Sequence, residues 1–192
     1  MEDFAFYFQF GWNHIISTEA LDHLLFITAL TSLYQIRQWK QVLILITAFT
    51  IGHTLTLVLS SMNITRINSH FIEFIIPLTI LFTGIFNLVQ KDDNKRNIKL
   101  NYLLALLFGL IHGLGFANTI QFMLSSQQTI FVPLLSFNIG IEAGQVIVVL
   151  CLLFTEIVIS DIIGIKHKWW TKILSVSSAI LAIFMCVQRW PF

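Results

Sequence analysis

Residues 40–60 read KQVLILITAFTIGHTLTLVLS. After Lys40 the stretch holds no formal charge, and its apolar residues run on without alternation. At about 1.5 Å per residue, a helix of this length covers about 30 Å, the thickness of a bilayer's hydrocarbon core. A barrel strand would alternate apolar and polar side chains, so the continuous run reads as a membrane helix. The same stretch carries His53 near its middle, a costly group to bury in lipid.

Five further runs of the same kind flank it. They predict helices over 18–34, 71–89, 100–124, 129–157 and 171–189. The aromatic stretch 1–17 is too short to span and is expected at the interface or folded back over the bundle. The fold class is therefore all-α, a polytopic membrane helical bundle of about six helices in one domain, 1–192. Composition agrees. Of 192 residues, 56% are hydrophobic and only 11% charged, where a soluble domain carries about 25% charged residues. The mean hydropathy is +0.81. These values exclude a disordered chain, a nucleic-acid-binding protein and an ordinary cytosolic enzyme. Cys151 and Cys186 sit far apart in apolar runs and do not read as a disulfide or a metal pair. The start, MEDFAFYFQFGW, lacks the basic region and cleavage site of a removable signal peptide.

Basic residues set the orientation. Arg37 and Lys40, then Lys91, Lys95, Arg96 and Lys99, then Lys166, Lys168 and Lys172 fall on one side, leaving Arg66 and Arg189 on the other. The three basic loops are expected in the cytoplasm and both termini outside. Trp39, Trp169, Trp170 and Trp190 sit where interfacial aromatics belong. Asn63-Ile-Thr65 matches a glycosylation sequon on the outer side.

An ionisable side chain at the centre of a membrane helix costs roughly 2.5–3.5 kcal/mol on insertion scales, so each needs a reason. Here they are Asp22, His23, His53, Glu73, His112 and Glu142, accompanied by the amides Asn138 and Gln145 and by His14 just before the first expected helix. Counted along the helices, all six lie in the outer half of the membrane or near its middle. The inner half is expected to hold nothing comparable. Glu156 reads as solvated at the cytoplasmic surface, and His70 and His167 read as loop residues.

Three imidazoles and three carboxylates are ligands for a divalent transition metal such as nickel, cobalt or zinc, and the lack of Cys or Met ligands argues against copper(I). The metal candidates are His23, Asp22, His53, His112 and Glu142, with His14, Glu73, Asn138 and Gln145 secondary. Asn138, Glu142 and Gln145 share one helix face at i, i+4 and i+7. Asp22 and His23 point about 100° apart, so that one ligates while the other orients. Gly109–Gly113 and Gly140–Gly144 are GxxxG patterns that allow tight helix approach, each enclosing a candidate. Gly113-Leu-Gly115 is expected to kink or break its helix. Pro77 cannot donate to the carbonyl of Glu73, which leaves an acceptor free beside the polar pit.

The stretches carrying these residues resemble the HupE/UreJ family of small bacterial membrane proteins. They are His14-Ile through Leu21-Asp-His-Leu-Leu-Phe26, Thr47-Ala-Phe-Thr-Ile-Gly-His-Thr-Leu-Thr56, Ile72-Glu-Phe-Ile-Ile-Pro77, Phe108-Gly-Leu-Ile-His-Gly-Leu-Gly-Phe-Ala117 and Phe137-Asn-Ile-Gly-Ile-Glu-Ala-Gly-Gln145. The resemblance implies a polytopic protein of the bacterial inner membrane, linked to nickel or cobalt uptake for hydrogenase and urease. It also implies that His14, Asp22 and His23 form a metal-binding element, although His14 stands farther from Asp22 than in motifs of this type. The first functional reading is a divalent metal permease with the lipid bilayer and the ion as partners; a homo-oligomer is compatible with it. The alternative is a membrane-embedded zinc hydrolase acting on a lipid or lipid-linked substrate, with Glu142 or Asp22 as general base. A third reading is a metal sensor or accessory subunit.

Overall fold

The first expected span is not one helix. In the computed structural model, which describes residues 2–62, 68–90, 98–124 and 130–191, Glu2–Ile16 form α1 and Leu21–Thr31 form α2. Between them Ser17 is extended, with φ −68° and ψ 156°, and Thr18–Ala20 form a single 3-10 turn. The break falls at the boundary expected between 17 and 18, but the helix that follows is shorter than the expected 18–34. At 11 residues, α2 covers only about 16 Å and cannot cross a bilayer by itself.

The remaining elements follow the expected runs. They are α3 (Trp39–Ser61), α4 (Ser69–Val89), α5 (Ile98–Leu124), α6 (Phe131–Ile157) and α7 (His167–Gln188). A π-helical turn, Val158–Ile162, prolongs α6. Five helices are long and apolar enough to cross a membrane, and the described residues contain no strand. Large apolar side chains such as Phe131, Phe154 and Val187 cover the outside of the bundle. The sequon 63–65, Arg66 and the basic residues Lys91, Lys95 and Arg96 lie outside the described residues.

Packing joins the helices in pairs, and glycine makes the closest approaches. A Cβ placed on Gly11 of α1 would lie 2.0 Å from the carbonyl oxygen of Phe137 on α6, and one on Gly140 would lie 2.1 Å from that of Phe8. The two backbones therefore touch, α1 runs in the same direction as α6, and Tyr7 and Ile15 are buried between neighbours. Thus α1 belongs to the bundle instead of lying apart at the interface. The pair α3 and α5 meets likewise, Gly109 against the carbonyl of Phe49 and Gly52 against that of Leu106. The expected break at Gly113-Leu-Gly115 does not occur. Instead α5 is continuous, and the missing side chain of Gly113 admits the backbone of His53 and the side chain of Thr56. The third pair, α4 and α7, is antiparallel, with Gly84 against Ser175 and Ala179, and Phe74 against Trp190. The short α2 contacts α4, α6 and α7.

Candidate metal centre

The helix pairing brings four imidazoles together from four different helices. His14 comes from the last turn of α1, His23 from the start of α2, His53 from α3 and His112 from α5. His23 is the hub. Its ring centroid lies 4.6 Å from that of His14, 5.8 Å from that of His53 and 5.3 Å from that of His112. His14 and His53 are also 5.8 Å apart. Close backbone packing of α3 on α5 is what brings His53 and His112 to one level, because Gly113 leaves no side chain between them.

Aromatic rings wall the cluster. Phe49 contacts His23, His53 and His112, Phe26 contacts His112, and Phe116 and Phe137 flank His14. The ring nitrogens are therefore shut off from other polar groups. Nε2 of His14, His23 and His112 and both nitrogens of His53 are buried with no hydrogen-bond partner in the protein. The Nδ1 of His112 is held 2.9 Å from the carbonyl oxygen of Phe108, one turn back, which orients Nε2 toward the cluster. Unsatisfied buried polar atoms cost roughly 1–3 kcal/mol each and call for an explanation. Among the described residues, no three His, Cys, Asp or Glu side chains already stand in metal-holding geometry, so the rings have to turn before their free nitrogens share one ion.

A cavity of about 550 Å³ leads to the cluster from the end of the bundle where α4 begins and α7 ends. His14, His23 and His112 line its floor, with Asp22, Glu73 and Arg189 among its other lining groups. Asp22 does not face the imidazoles alone. Its Oδ2 accepts a hydrogen bond from Nη1 of Arg189 at 2.9 Å, and its Oδ1 is buried without a partner. Glu73 is exposed at the mouth. The carbonyl of Glu73, which Pro77 leaves without its helical donor, accepts from Arg189 at 3.5 Å. The sequence showed the free acceptor but not its donor. By sequence Arg189 belongs with the outer basic residues, and nothing beside it in the chain marks Asp22 or Glu73 as its partner.

The α6 candidates stand elsewhere. Glu142 does not line the cavity; its Oε1 accepts from the hydroxyl of Thr47 on α3 at 2.5 Å. Gln145 accepts from Thr50 at 2.8 Å and Asn138 from Thr54 at 2.5 Å. The three share a face as the spacing requires, and that face meets a threonine row on α3. The expectation of an empty inner half is corrected too. Glu156 is 4% exposed and paired with His167, which opens α7 instead of lying in a loop.

The sequence matches the family described as HupE / UreJ protein over residues 1–192. No curated protein matches the chain, and no solved structure does.

Proposed function

The chain belongs to the HupE/UreJ family of membrane proteins, and from that premise we propose that it is a permease for a divalent transition metal ion, nickel or cobalt foremost. The observation that carries the reading is the set of four imidazoles whose buried ring nitrogens have no partner in the protein. Four nitrogens about 2.0–2.1 Å from one ion in tetrahedral array place their ring centroids about 5 Å apart. The spacings of 4.6 to 5.8 Å around His23 lie close to that value. Small ring rotations then convert unpaired nitrogens into ligands. Neutral imidazole suits nickel, cobalt and zinc alike, and the family association favours the first two.

In this reading Asp22 and Glu73 attract the cation to the mouth, His23 receives it, and His14, His53 and His112 complete its shell. In the same reading the mouth and both termini face outward from the bacterial inner membrane, an orientation that the distribution of Lys and Arg supports. Glu142, Asn138 and Gln145 tie α6 to α3 and shape the cluster from behind.

The test is flux and stoichiometry together. Purified protein in liposomes is expected to accumulate nickel or cobalt, and the His23→Ala variant is expected to lose both accumulation and high-affinity binding. Metal bound without flux would overturn transport; no metal bound at all would overturn the site.

A further inference from the structure

The end of the bundle opposite the mouth holds a second polar cluster, built where α2, α6 and α7 meet. Nδ1 of His167 stands 3.0 Å from Oε1 of Glu156. The other ring nitrogen faces the carbonyl of Leu33 at 3.4 Å and the hydroxyl of Thr171 at 3.5 Å. Glu156 is nearly fully buried, and carboxylates are buried only where something pairs with them.

The cluster is the foot of a longer stripe. Along α7, His167, Thr171, Ser175 and Ser178 recur at helical spacing and share one face. Thr171 donates to the carbonyl of Ser32 at 2.7 Å. Ser175 meets Ser32 and the amide of Asn87, which also donates to the carbonyl of Ala29 at 2.7 Å. Ser178 is buried, and its hydroxyl has no partner. Continuing at the same spacing, the face passes Ala182 and Met185 and reaches Arg189 at the mouth. One helix face therefore connects the mouth of the cavity with the buried Glu156–His167 pair.

We infer that Glu156 and Nδ1 of His167 form a second cation site, the station from which the divalent ion leaves on the cytoplasmic side, while the carbonyl of Leu33 and the hydroxyl of Thr171 hold the far ring nitrogen and so aim Nδ1 at the carboxylate. This rests on the permease reading. Two ligand atoms about 2.1 Å from one ion and at right angles stand about 3.0 Å apart, the separation of Nδ1 and Oε1 here. An ion entering takes the place of that hydrogen bond. One imidazole and one carboxylate hold a nickel or cobalt ion more weakly than four imidazoles do. An ion bound too well does not leave, and a weaker station on the exit side favours its release. Beyond the pair, the π-helical turn Val158–Ile162 and the exposed residues 161–166 open the way to solvent.

Cobalt(II) titration of the purified full chain in detergent, read by visible absorption and equilibrium dialysis, tests the site beside cobalt uptake into liposomes. Wild type is expected to bind two equivalents, the second at least 10-fold more weakly. Glu156→Gln and His167→Gln are expected to lose the weaker equivalent, keep the tighter one, and take up cobalt at least 10-fold more slowly. His23→Ala is expected to do the reverse in binding, keeping only the weaker equivalent. Thr171→Val, which preserves volume, is expected to weaken the second equivalent about 3-fold, and it serves if the charge variants do not fold. A single wild-type equivalent that survives Glu156→Gln overturns the second site and leaves the histidine cluster standing. A lowered melting temperature with both equivalents intact makes the pair a clasp between α6 and α7 and overturns the inference. A wild type that binds no cobalt overturns both readings.

Discussion

Nη1 of Arg189, at the C-terminal end of α7, stands 2.9 Å from Oδ2 of Asp22, in the first turn of α2. On the permease reading, a fixed cation thus occupies a carboxylate on the ion's path from the mouth to His23. Exposed ion pairs are worth about 0.2–1 kcal/mol, and this one is partly covered. Arg189→Gln removes the competitor and is expected to tighten cobalt binding about 3- to 10-fold in an equilibrium titration. Unchanged or weaker binding would show that Arg189 does not compete with the ion.

His23 touches all three other imidazoles, whereas no direct ring contact joins His14 to His112 among the described pairs. Losing the hub should therefore cost more than losing a peripheral ring. His23→Ala is expected to lower cobalt affinity at least 100-fold, and His14→Ala about 10-fold, with the circular dichroism of both unchanged. Equal losses from the two would remove His23 from the centre of the site.

Gly109 meets the carbonyl of Phe49 at a distance no methyl group can occupy, while Gly164, with φ 81°, has nothing within 4 Å of a new Cβ. Gly109→Ala is expected to force α3 from α5, lowering stability by about 1–3 kcal/mol, and to weaken metal binding because His53 and His112 lose their common level. Gly164→Ala meets only backbone strain, about 1–2 kcal/mol, and should leave affinity unchanged. Thermal melting and cobalt titration of the two variants side by side separate these effects.

Glu142 is bonded to Thr47 and stands away from the cavity lining. Glu142→Gln is expected to change cobalt affinity less than 2-fold, and a double-mutant cycle with Thr47→Val should give a coupling of about 0.5–3 kcal/mol in stability. A 10-fold loss of affinity in Glu142→Gln alone would restore it as a ligand.

Hydropathy reads lengths well and turns poorly, and the chain shows why. The run 40–60 became Trp39–Ser61, and 71–89 became Ser69–Val89, because twenty apolar residues between polar loops leave a helix little freedom. The run 18–34 shortened to Leu21–Thr31, because Thr18–Ala20 wind into a 3-10 turn and the helix ends at Ser32, points that apolar content does not mark. For α1, the partner that buries it is Gly140, more than a hundred residues away, and complementarity of that range has no local signature. The histidines stood out since lipid makes each one costly. Arg189 and His167 did not, because both lie beside other basic or loop-like residues and acquire partners only when distant helices close on them.

The glycine contacts also set how the molecule can move. Backbone-to-backbone seams between α1 and α6, and between α3 and α5, resist sliding, since every displacement drives a carbonyl into a neighbouring chain. The seven helices then form a few double rods with one short strut, α2, packed between them. That strut carries His23 near one end and Leu33 just past the other. On the permease reading, a rocking of these 11 residues would load one end as it unloads the other, which would make the shortest helix of the bundle its valve.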